Sequence, residues 1–137
     1  MRRFFILLIA VVAVVALAVP ASAAPGFVVH LDGAQEVDGG DPDGAGVAKL
    51  RFERDGTVCF DIDVTGVEPI AAGHIHAAPA GVNGSVVIGF DIAENGLSGC
   101  VTADPNLLRA IRRTPSDYYV NLHNADYPGG ALRGQLG

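Results

Sequence analysis

Two histidines one residue apart, His74 and His76 in "GHIHA", are the side chains best placed to do chemistry in this chain. On a strand, alternate side chains share a face, so both imidazoles project to one side with Cβ atoms about 6.7 Å apart. Two such rings can bend onto one ion, and a third nitrogen from a neighbouring strand would complete a three-imidazole site. His123 in "DYYVNLH" has the matching face, because Tyr118, Val120 and Leu122 alternate with Tyr119, Asn121 and His123. Three neutral imidazoles suit copper or zinc, with copper favoured by intrinsic affinity. Asn121, Asp126 and Tyr119 are the residues that could support the ligands from behind. The competing reading is a polar strand face that is simply solvated or hydrogen-bonded.

Other candidates are weaker. His30 alternates with Val29 and Leu31, so it faces outward on its own strand with nothing tying it to the other three. Glu36, Asp38, Asp41 and Asp43 gather in the glycine-rich "QEVDGGDPDGAG", whose oxygens could take calcium, but the spacing matches no EF-hand. Asp61 and Asp63 share a strand face, as a carboxylate pair for glycoside hydrolysis must, and solvated strand acids are the ordinary explanation. No serine sits in a G-x-S-x-G elbow. "NGS" at Asn83 matches a glycosylation acceptor and is also an Asn-Gly turn.

The elements that must position these residues are short alternating runs separated by Gly, Pro, Asn and Asp, the pattern of an antiparallel all-β domain. Eight strands are expected, in "GFVVHL", "AGVAKLRFE", "TVCFDIDV", "AGHIHA", "SVVIGFDI", "LSGCV", "DYYVNLH" and "ALRGQL". Turn signals between them include "RDGT", "VNGS", "AENG" and "YPGG". Alternation sends Val58, Phe60, Ile62, Val64, Ile75, Leu132 and Leu136 inward. It leaves Asn121, Arg133 and Gln135 outward, beside the histidines. One helix is expected in "TADPNLLRAIRRTP": Asp104 caps it, Pro105 opens it, Leu107, Leu108 and Ile111 share a side, and Pro115 stops it. Arg112 and Arg113 suit the negative end of its dipole. The expected fold is an all-β, antiparallel, Greek-key-like β-sandwich with one short helix.

Residues 1–23 read as a signal peptide rather than fold. A basic start is followed by an apolar run from Phe4 to Val19, then Pro20 and the small-x-small "ASA". The run is short for a membrane span. Residues 24–137 then form a single domain, exported and free of the membrane. Without Arg2 and Arg3, the nine basic residues fall to seven against fifteen acidic ones, a formal charge of −8. That balance argues against nucleic acid and anionic membrane as partners. Cys59 and Cys100 are the two cysteines, and in an oxidising compartment they are expected to pair.

Three stretches carry a family resemblance. "LDGAQEV" at 31–37, "GHIHAAPAGVNGSVV" at 73–87 and "YYVNLHNADYPGGALRGQL" at 118–136 resemble, in order, the CHRD domain, which is named after chordin and occurs also in secreted bacterial proteins. "EVDGGDPD" departs from the prolines that commonly follow "QEV" in that family. The resemblance implies an extracellular β-sandwich module, with His74, His76 and His123 at the family's histidine positions and Arg133 and Gln135 in its terminal motif. In chordin-like animal proteins such domains belong to antagonists of secreted growth factors. For single-domain bacterial members the resemblance implies no established activity. A looser likeness is to copper/zinc superoxide dismutases, through "HIH", "PGGALRG" and an intramolecular disulfide. It lacks the fourth copper histidine and the histidine-aspartate cluster that holds zinc.

The expected role is a secreted, non-catalytic binding or structural module using the face of His74, His76, Asn121, His123, Arg133 and Gln135 toward an extracellular protein or glycan. The alternative is a copper- or zinc-binding protein, with dismutase-like redox chemistry as its most specific form.

Overall fold

The computed structural model describes residues 26–137. The signal peptide expected at 1–23 lies outside the described residues. Eight strands form in the places that alternation marks: β1 (Gly26–Asp32), β2 (Ala45–Phe52), β3 (Thr57–Thr65), β4 (Ala72–Ala77), β5 (Ser85–Gly89), β6 (Ser98–Thr102), β7 (Tyr118–His123) and β8 (Leu132–Gln135). All of their pairings are antiparallel.

Strand order is β5-β4-β7-β8-β1-β2-β3-β6. The sheet is two four-stranded halves stitched at one residue pair, Asp32 with Arg133. Strands β1, β2 and β3 follow one another as hairpins, and the chain then crosses to build β4 and β5. It crosses back for β6 and over again for β7 and β8, which is the Greek-key-like path expected. The inward side chains of both halves meet in one hydrophobic cluster that includes Val29, Leu50, Phe52 and Phe60 from one half and Ile75, Ile88, Val120 and Leu132 from the other. Phe60 and Phe90 stack with ring centroids 4.7 Å apart near the middle of this cluster. Packing two apolar sheet faces against each other removes both from water, which is the main favourable term in such a fold.

Helix α2 (Pro105–Arg113) forms as expected, with the Asp104 side chain accepting from the Asn106 N–H. Leu108 and Ile111 are fully buried, and Leu107 is half-buried. Arg112 does more than complement the dipole. Its guanidinium donates to the carbonyl of Phe52 at 2.6 Å and lies 5.8 Å from the centroid of that ring, fastening the helix to the end of β2. A second, four-residue helix, α1 (Ile92–Asn95), stands where "AENG" reads as a turn. It buries Ile92, and it starts at Asp91 in a left-handed conformation without a side-chain cap, so no capping signature announces it.

Cys59 and Cys100 are bonded, tying β3 to β6 across 41 positions of sequence. Among the described residues there is no free cysteine.

Candidate metal centre

The sheet places the three histidines together. β4 pairs with β7, setting His74 opposite Asn121, His76 opposite Tyr119 and Ala72 opposite His123. All six positions lie on the outer face, since Ile75, Val120 and Leu122 between them are buried in the core. One ring nitrogen of each histidine falls within 4.8 Å of the others, the one group of three or more potential ligands of this kind among the described residues.

Hydrogen bonds decide which nitrogens face the centre. The Nδ1 of His76 lies 2.9 Å from the carbonyl of Gly84, and the Nδ1 of His123 lies 3.1 Å from that of Pro128. A carbonyl oxygen only accepts, so each Nδ1 carries the proton and each Nε2 is left with its lone pair. The Nε2 of His123 sits 3.2 Å from the Nδ1 of His74. The Nε2 of His76 is buried with no partner. Three nitrogens around a tetrahedral metal at about 2.1 Å would be about 3.4 Å apart, so the His74–His123 pair already has that spacing. An orphaned, buried imidazole nitrogen beside two others, with tautomers held by backbone carbonyls, fits a borderline cation such as zinc or copper.

Electrostatics point the same way. Burial holds the imidazole of His74 below its usual pKa of 6.5, and the neighbouring rings of His123 and His76 add to that. His123 is also lowered, chiefly by burial, which outweighs the opposing pull of the Pro128 carbonyl, with His76 adding a lesser lowering. Both shifts favour the neutral form of His74 and His123, the form that binds metal.

The rest of the outer face differs from a free polar surface. Alternation places Tyr119, Asn121, Arg133 and Gln135 on it, as expected, but two loops lie across it. Tyr119 is 2% exposed, Asn121 3% and Arg133 1%. Arg133 donates to the carbonyls of Pro79 and Val82 at 3.0 and 3.1 Å, and Gln135 to those of Ala78 and Ser116, both at 2.8 Å. These bonds draw residues 78–84 down over the sheet. The guanidinium of Arg133 also lies 3.5 Å from the centroid of Tyr119, whose other neighbour is His76, stacked at 4.8 Å. A column of Arg133, Tyr119 and His76 thus fixes one ligand from behind.

The second loop is the acidic one. Glu36 accepts from the side-chain amide of Asn121 at 2.6 Å, and Asp38 accepts from Asn83 at 2.9 Å, which joins the two loops. Asp41 takes the backbone N–H groups of Asp43 and Gly44. Three of the four acids expected as possible calcium ligands, Glu36, Asp38 and Asp41, are therefore engaged in holding the loop, and Asp43 joins through its backbone N–H. Burial raises the pKa of Glu36, opposed by the charge of Arg133 and the Asn121 amide. Glu36 was not legible as a site neighbour, because only the loop's path brings it over the sheet. Asp126 lines a shallow cleft of about 230 Å³ with Glu36 and Asp38, beside the turn that holds His123.

The remaining candidates lie elsewhere. His30 is exposed on β1, and Asp61 and Asp63 are exposed on β3 in the other half of the sheet. No fourth histidine joins the triplet among the described residues, so the likeness to superoxide dismutases gains nothing here.

Neither the curated proteins nor the solved structures compared with the chain include a match. A family model, described as the CHRD domain, matches residues 27–136, which take in nearly all of the eight-stranded fold and all three histidines. The chain belongs to the CHRD domain family.

Proposed function

We propose that this domain is a secreted, non-catalytic extracellular binding module, and that the ligand of its roofed face is copper or zinc, held by His74, His76 and His123. Family membership supports the extracellular binding or structural role, and the disulfide accords with an oxidising compartment. The observation that carries the metal reading is the buried, unpartnered Nε2 of His76 in a triplet whose rings each bring one nitrogen within 4.8 Å of the others. A buried acceptor without a donor costs roughly 1–3 kcal/mol, and a metal ion removes that cost. Arg133 and Gln135 serve the site indirectly, by holding the loop whose Gly84 carbonyl sets the His76 tautomer. An extracellular protein or glycan would meet the outer side of that loop, and nucleic acid is disfavoured by the acidic charge.

Calorimetric titration of residues 24–137 with zinc and copper tests this. One ion bound per chain with sub-micromolar affinity, lost in a His76→Ala, His123→Ala double variant that still folds, is the expected result. Absence of binding, or binding unchanged in the variant, would leave the histidines as part of a packed sheet face.

A further inference from the structure

The site contains a second orphan that the three ligands do not use. Asn121 is 3% exposed, and its Oδ1 is buried with no hydrogen-bond partner. Its position is central: directly opposite His74 across the β4–β7 ladder, and two residues from His123 on the same face of the same strand. Residues opposite each other in an antiparallel pair have Cβ atoms about 4.5–5.5 Å apart, so this side chain stands beside His74 on the face that carries the triplet. Its orientation is fixed, because Nδ2 donates to the Glu36 carboxylate at 2.6 Å. The reverse flip would set the amide oxygen against a carboxylate oxygen and lose the short N–H···O bond. Oδ1 therefore presents a lone pair with no donor to meet it.

Three protein nitrogens leave a fourth position open on a tetrahedral ion, the arrangement that separates exchangeable sites from closed structural ones. Asn121 Oδ1 is an acceptor buried on the same face, opposite one ligand and two residues from another, and it can select what occupies that position. We infer that the metal bound by the triplet keeps a proton-donating fourth ligand, water in the resting protein, hydrogen-bonded to Asn121 Oδ1. Asn121 is thus a positioning residue, oriented in turn by Glu36. The inference rests on the metal reading above, and it makes the centre an open, ligand-exchanging one. Ligands that carry a proton, such as water or an alcohol, are favoured at the fourth position. Anions without one, such as azide, meet the lone pair of Oδ1 and are disfavoured.

The test uses the copper(II)-loaded chain and azide as the probe. Water-proton relaxation and pulsed EPR in deuterated water are expected to report exchangeable coordinated water in the unaltered protein. In Asn121→Leu, similar in volume and without the acceptor, azide is expected to bind several-fold to about tenfold more tightly, the size of one hydrogen bond. Glu36→Gln, which frees the amide to turn, is expected to shift azide affinity the same way by less. A bound metal without coordinated water in the unaltered protein would overturn the inference, whether or not Asn121→Leu folds. So would equal azide affinity in a folded Asn121→Leu protein. Failure of the unaltered protein to take up metal at all would instead defeat the metal reading.

Discussion

The two halves of the sheet follow the same alternation and end with opposite outer faces. Over β1, β2, β3 and β6 the outward residues stay in solvent: Lys49 pairs with Asp63 at 3.4 Å and Arg51 with Glu53 at 2.7 Å, all with exposed side chains. Over β5, β4, β7 and β8 the outward residues lie beneath loops, and an arginine, an asparagine and a tyrosine are buried among the histidines. Period-2 alternation sorts side chains between faces but does not say which face water reaches. Cover decides the energetics. Exposed ion pairs are screened and contribute little, whereas a covered polar network must be satisfied in full or it destabilises the fold.

That contrast can be broken or sharpened by four changes. The largest effect is expected from Arg133→Ala, which leaves the carbonyls of Pro79 and Val82 without their donor and removes the cation beside Tyr119. A loss of roughly 3–5 kcal/mol in urea denaturation is expected. A loss below 1 kcal/mol would mean that the roof holds without it. Next comes the joint Cys59→Ala, Cys100→Ala change on the open half, expected to cost about 2–4 kcal/mol from the 41-position loop that it releases. On the proposed function, the zinc affinity of the opposite half should be unchanged, and a large drop would show that the two faces are coupled.

A smaller effect is expected from acid. His74 and His123 have folded pKa values below the 6.5 of an ordinary imidazole, so the unfolded chain takes up protons first. Stability from these rings is therefore complete above about pH 6.5 and declines as the pH falls through the window below it. Melting temperature followed from pH 7.5 to 5 should drop, and the His74→Gln, His123→Gln protein should drop less. Smallest is Lys49→Ala on the open face, expected to change stability by less than about 1 kcal/mol and by less still in 0.5 M salt. A larger change would erase the distinction between the faces.

Much of this was legible in the sequence because it is local. Alternation places eight strands and their inward residues, Asp104 and Pro105 mark the start of α2, and two cysteines leave one pairing. The His74–His76 pair could be read as facing one way from its spacing alone. His123 required knowing that β4 lies beside β7, which alternation does not encode. The roof was not legible at all. Its path depends on guanidinium and amide groups reaching main-chain carbonyls more than fifty positions away, and such oxygens have no signature in a sequence. Helix α1 escaped for a related reason: it is four residues long, and its first turn has no side-chain cap to announce it.

Arg133 and Gln135 grip the 78–84 loop through the oxygens of Ala78, Pro79 and Val82, and never through a side chain. A main-chain oxygen is there whichever residue supplies it. The identities of residues 79, 80 and 82 are therefore free to drift without loosening the anchor, whereas Gly81, at φ +76°, keeps the loop's left-handed turn. Relatives could diversify at this rim while keeping one scaffold beneath it, and a foreign recognition segment could be grafted there for the same reason.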